Sequence, residues 1–130
     1  MTGFCTLDTG ALIALDRGNR GTTDLVRRLV AEDWLPVVPA PVVAESWRSP
    51  RQVVLARTLA SSRVVPLDAD LARRAGELNG RAGLDDPVDA AVVVTAAALG
   101  GLLLTADPHL SVLVGHLPPG GPPLVVRPPS

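Results

Sequence analysis

The segment Pro87–Leu110 reads PVDAAVVVTAAALGGLLLTADPHL, and its reading decides the architecture. From Ala90 to Ala106 it runs 17 residues without a charge, the lower limit of the roughly 17–25 that a membrane span needs. Alanine dominates it, and Gly100–Gly101 splits it into two shorter pieces. The first, Pro87–Leu99, reads as a helix with proline in its first turn and Gly100 at its C-cap, apolar on nearly every side. The second, Leu102–Thr105, reads as a short leucine-rich strand. A helix and a strand that both lack a polar face need protein on all sides. The segment is expected in the interior of a layered domain and not in a membrane.

Working outward, Phe4–Leu7 is a short apolar strand, followed by the turn Asp8-Thr9-Gly10 and a helix over Ala11–Leu15. Arg17–Gly21 reads as a loop, and Thr22 or Thr23 as the cap of a helix over Asp24–Glu32. Leu35–Val38 is a second strand closed by Pro39, with a short helix over Pro41–Trp47 behind it. Ser49-Pro50 has the form of a helix start, running to about Ala60, and Val64–Leu67 reads as a third strand. Asp68 caps a helix from Ala69 to about Arg81, Asp107-Pro108 opens another short one, and Leu124–Val126 reads as an edge strand after the surface segment Leu117–Pro123. Strands that alternate with helices and are continuously apolar predict a three-layer α/β/α sandwich around a mostly parallel sheet. The 130 residues show no repeat or linker and form one domain, 1–130.

The residue inventory narrows the chemistry. All 12 basic residues are arginine, and tyrosine is absent, so a phosphate-loop lysine, a Schiff-base lysine and a tyrosine acid are excluded. His109 and His116 are the only histidines, too few for a histidine-rich zinc site. The single Cys5 lies in an apolar strand and reads as core; one cysteine and no secretory-type start predict a cytoplasmic setting. A net charge of -1 argues against indiscriminate binding to a phosphate backbone, which leaves local clusters such as Arg27–Arg28, Arg48 with Arg51, and Arg73–Arg74. Aromatics at 2% leave no platform for base stacking.

Carboxylates remain. Asp8 directly follows the first strand, and Asp107 lies just beyond Leu102–Thr105. Asp89 is in the first turn of the Pro87–Leu99 helix, and Glu45 is on the helix after the second strand. Parallel sheets bind ligands at the carboxyl ends of their strands, the edge these four acids are expected to share. Each also has an ordinary structural explanation. Asp8 and Asp107 have the positions of helix caps, Asp86 and Asp89 the spacing of a capping box, and Glu45 the spacing of a pair with Arg48. Asp8 and Asp89, however, have apolar neighbours on both sides, where an unpaired charge is costly. Several carboxylates in one place repel one another, and a hard divalent cation, Mg2+ or Mn2+, resolves that repulsion.

At these residues the chain resembles the PIN-domain family, in particular its VapC-type toxins. The resemblance rests on LDTGALIAL at Leu7–Leu15, VVAESW at Val42–Trp47, PVDAAVVVTAAALG at Pro87–Gly100 and LLLTADPHL at Leu102–Leu110, spread in order along the chain. It implies a Mg2+-dependent endoribonuclease whose acidic quartet is Asp8, Glu45, Asp89 and Asp107. Thr105 matches the hydroxyl residue that supports the last acid, and Thr9 the hydroxyl residue that follows the first. Ala106 and Pro108 depart from the polar or basic residues common beside the last acid, and Asp85 and Asp86 add charge near the site. In such a site Asp8 and Asp89 are expected nearest the metal, and Glu45 and Asp107 on its waters. The resemblance further implies a homodimer silenced by a small antitoxin protein. Two other readings compete: a catalytically silent PIN-like module that binds RNA or a partner, and a retropepsin-like aspartic protease suggested by Leu7-Asp8-Thr9-Gly10-Ala11. The protease reading requires an all-β fold and leaves the other acids unexplained.

Overall fold

The computed structural model describes residues 1–130. Five strands, β1 (Gly3–Leu7), β2 (Trp34–Pro39), β3 (Arg63–Val65), β4 (Gly101–Leu104) and β5 (Leu124–Arg127), form one sheet in the order β3-β2-β1-β4-β5. Every pairing is parallel, so the edge strand expected near the C-terminal end joins the sheet in the same sense as the rest. The chain moves outward from β1 through β2 to β3, then returns over the sheet to enter β4 on the other side of β1. Right-handed crossovers in opposite directions put helices on both faces. Accordingly α1 (Thr9–Asp16), α2 (Arg20–Ala31) and α4 (Val53–Ala60) form one layer, with α1 touching both others. The second layer is α5 (Ala69–Ala82), α6 (Pro87–Leu99) and α7 (Pro108–Gly115), while α3 (Ala40–Ser46) bridges α1 and α6. No helix is long and apolar enough to cross a membrane.

The core is a single cluster between these layers, and Leu7, Leu12, Leu55, Leu78, Leu103 and Leu104 are among its largest fully buried members. Helix α6 lies against β1, β2 and β4 and buries Ala90 through Ala96 without interruption, as its uniformly apolar sequence requires. At its end Gly100 caps the helix through a bond to Ala96, and Gly101 turns at φ +91 against β1. A side chain at Gly101 would drive its Cβ into the Phe4 carbonyl oxygen. Glycine there lets β4 close on β1, and the register Leu7–Leu104 follows.

Three local expectations differ from what is observed. Helix α2 begins at Arg20 with Asn19 as its cap, its Oδ1 accepting from Thr22 N at 3.0 Å, while Thr22 itself is buried. Helix α4 begins at Val53, not at Ser49-Pro50, because its cap comes from elsewhere: Asp16, ending α1, accepts from Leu55 N at 3.2 Å. The Gln52 amide, whose oxygen takes Arg48 N and Ser49 N, also donates to Asp16 Oδ2 and Ser46 O. Strand β3 stops at Val65, before Pro66, which has no N–H for a ladder. The parallel sheet and surrounding helices exclude the all-β retropepsin reading of Leu7–Ala11.

Candidate active site

The strand order reverses between β1 and β4, and the carboxyl ends of these two strands open the crevice where open α/β sheets place ligands. Asp8 leaves β1 there. It is 6% exposed, its N–H donates to Leu104 O at 3.3 Å, and its Oδ1 accepts from Ala11 N at 2.7 Å to cap α1. Burial raises its pKa, the Thr105 hydroxyl and the Ala11 amide oppose that rise, and the nearby Asp107 charge adds to it.

Asp107 leaves β4 two residues on from Thr105, which is 4% exposed. Its N–H donates to Thr105 Oγ1 at 3.0 Å, and its Oδ1 accepts from His109 N at 2.9 Å to cap α7. Thr105 thus serves both acids.

Asp89 enters from α6. The helix feeds β4 at its C-terminal end, so its first turn lies at the carboxyl edge of the sheet. Asp86 caps it, accepting from Asp89 N at 3.0 Å. The half-buried Asp89 carboxyl is pushed up to about 7, first by burial and then by the negative charges of Asp86, Asp107 and Glu45. Asp86 therefore acts on the site by its field as well as by its cap.

Glu45 is held from α3. The Thr9 hydroxyl donates to its Oε1 at 2.6 Å. The alternative pairing of Glu45 with Arg48 does not form: Arg48 Nη1 donates instead to the carbonyls of Ala44 and Trp47 at the end of α3. Neither of the chain's ion pairs, Met1–Asp33 and Arg74–Asp70, reaches the site acids, so no protein cation offsets them.

A cavity of about 230 Å3 is lined by Asp8, Thr9, Gly10, Asp89, Asp107 and the C-terminal Pro129, among others. Through Gly10 it adjoins an open cleft of about 510 Å3 along α1, lined by Ile13, Ala14, Arg17, Gly18 and Asn19. Another hollow, about 650 Å3, lies elsewhere, between α5, the far half of α6 and the loop 117–122, and contains none of the four acids. The structure thus brings Asp8, Thr9, Glu45, Asp89, Thr105 and Asp107 to one place, while the exposed Asp85 does not line the cavity.

One residue joins them that sequence reasoning passed over. A ring nitrogen of His109 and carboxylate oxygens of Asp89 and Asp107 all lie within 4.8 Å of one another. Cys5, in contrast, is a core residue: it is fully buried, and burial pushes its thiol up to about 11.

The donor set suits a hard divalent cation. Carboxylates that are partly desolvated, mutually repulsive and uncompensated by arginine are the ligands such an ion needs.

No curated protein matches the chain. Among solved structures, it is similar to a chain of the VapBC2 complex of Rickettsia felis bound to a promoter DNA fragment, with 16% identity and a TM-score of 0.70 over 95% of this chain and 98% of that one. It is also similar to a chain of FitAB bound to IR36 DNA, at 17% identity, a TM-score of 0.62 and 94% coverage of each. At these identities the likeness is one of fold. The PIN domain family model matches residues 5–114, from the middle of β1 to the end of α7. On that match across most of its length, the chain belongs to the PIN domain family.

Proposed function

We propose that this protein is a Mg2+-dependent endoribonuclease and the toxin of a toxin–antitoxin pair, acting in the cytoplasm. One observation carries the reading: four carboxylates from four separate elements meet at the sheet's switch point with no protein cation among them. A bound divalent ion supplies charge stabilisation to a phosphodiester in the site and acidifies a water there.

The residues divide the remaining work. Asp8 and Asp89, the two acids whose charged forms burial most disfavours, hold the ion. Asp8 has one oxygen fixed on Ala11 and lines the cavity. Glu45, anchored by Thr9, and Asp107, anchored by Thr105 and His109 N, orient the attacking water and accept its proton. Hydrolysis leaves a 5′-phosphate and a 3′-hydroxyl, and no nucleophilic side chain takes part. Mn2+ substitutes for Mg2+ in such an oxygen-rich site.

RNA as substrate is supported by the cleft beside the acids. Gly10 and Ala14 leave the surface of α1 low beside Ile13, and Arg17 at its far end offers a guanidinium to a phosphate. The antitoxin partner is supported by the likeness to chains of VapBC2 and FitAB, and by an acidic pocket that attracts an arginine from outside. The active form is a homodimer, as in the toxins the sequence resembles.

The test is cleavage of single-stranded RNA by the purified chain, with Mg2+ added and then withdrawn by chelation. Cleavage is expected only with the metal, and Asp8→Asn is expected to abolish both cleavage and growth arrest on expression. Cleavage that survives chelation, or persists in Asp8→Asn, overturns the assignment.

A further inference from the structure

We infer that His109 is a nitrogen donor to the divalent ion of this site, and that the site therefore favours Mn2+ over Mg2+. The inference rests on the metal-site reading above and adds to it a residue of a different chemical type. His109 is the second residue of α7, and its backbone N–H is fixed on Asp107 Oδ1 at 2.9 Å. That bond ties the histidine to the acid that shares the cavity with Asp8 and Asp89. From there a ring nitrogen comes within 4.8 Å of carboxylate oxygens of both Asp89 and Asp107.

The spacing is close to what one ion requires. An ion about 2.1 Å from each donor holds adjacent donors about 3 Å apart and opposite ones about 4.2 Å apart, so closure needs side-chain movements on the order of an ångström. The His109 side chain is exposed, and rotation of its ring provides that movement. The other histidine cannot serve: His116 lies at the opposite end of α7, with Nδ1 at 2.9 Å from Val112 O.

The consequence is metal preference. An all-carboxylate site is indifferent between Mg2+ and Mn2+ by donor type, since both take oxygen readily. Imidazole breaks that balance, because nitrogen contributes little to Mg2+ and more along the first transition row. The same argument ranks Co2+ above Mn2+ in affinity.

Calorimetric titration of the full chain with MnCl2 and with MgCl2 tests this directly, comparing wild type, His109→Gln and Asp89→Asn. Wild type is expected to bind Mn2+ more tightly than Mg2+. His109→Gln is expected to lose at least about tenfold in Mn2+ affinity while Mg2+ affinity stays within about twofold. If His109→Gln leaves Mn2+ affinity unchanged, or weakens both ions equally, His109 is not a donor, although the carboxylate site stands. If wild type binds neither ion and Asp89→Asn changes nothing, the metal-site reading itself falls, and this inference with it.

Discussion

The Thr9 hydroxyl donates a 2.6 Å hydrogen bond to Glu45 Oε1, joining the first turn of α1 to α3 across 36 positions of sequence. Because the acceptor is a carboxylate, the bond is of the stronger kind, about 1.5–3 kcal/mol. Thr9→Val is therefore expected to lower the rate of RNA cleavage about 10- to 100-fold and also to cost stability, by less than the full bond because the pair is exposed to water. Thr9→Ser is expected to retain most of the rate, because it keeps the donor. Single-turnover cleavage kinetics and thermal melts on the two variants check this; equal rates in wild type and Thr9→Val would leave Glu45 without a catalytic anchor.

Stability should depend on pH with a sign set by two raised carboxyl groups. In the folded, metal-free protein Asp89 holds its proton up to about 7, where the ordinary value is 3.8, and Asp8 is shifted in the same direction. Between those limits the folded state binds more protons than the unfolded chain, so these groups make the protein less stable as pH rises. In chelator, Tm is expected to fall from pH 5 to pH 8, and Asp89→Asn to flatten that slope. Saturating Mg2+ is expected to reverse the effect, because an ion held at the proposed site would displace the proton from Asp89 and bind more tightly as pH approaches 7. A wild-type slope no steeper than that of Asp89→Asn would contradict the assignment.

Arg17 stands at the end of the α1 cleft, outside the acid cavity. If it contacts one phosphate, Arg17→Ala should weaken single-stranded RNA binding and reduce the slope of log affinity against log salt by roughly 0.7. Fluorescence anisotropy across a salt series measures both. An unchanged slope assigns the RNA path to another face.

Gly101 admits no side chain. With φ at +91 and the Phe4 carbonyl in the way, Gly101→Ala is expected to cost about 2–4 kcal/mol. Because the residue starts β4, a weakened β1–β4 pairing also displaces Asp107 from Asp8. Chemical denaturation should show the loss of stability, and metal affinity should fall with it. Full retention of both would mean that the strands close without this contact.

Asp16→Ala removes the cap that α1 lends to α4 and should cost about 1 kcal/mol in a melt. Asp16→Asn keeps an acceptor oxygen and is expected to recover part of the loss.

Much of this was legible in the residues themselves. Acids at the ends of apolar strands are local signals, and they pointed to one sheet edge before any pairing was known. The adjacency of β1 and β4 was conditional in the sequence, because it depends on which of several parallel orders the chain adopts. What sequence could not reach was anything completed by a partner far along the chain. Helix α4 starts at Val53 and not at Ser49-Pro50 because its cap, Asp16, lies 39 positions before Leu55. Helical spacing offers Arg48 as an ordinary partner for Glu45, whereas the unsatisfied carbonyls closing α3 take the arginine and Thr9 takes the glutamate. His109 carried no signal at all, since a lone histidine after proline gains meaning only when α6 brings Asp89 opposite it.

Asp8 and Asp107 each spend one oxygen on the helix that follows. Their orientation is consequently a property of the backbone and does not wait for an ion to impose it. A chain stripped of metal should keep its shape, remain inert, and regain activity as fast as cations diffuse in, with no refolding step between the two states.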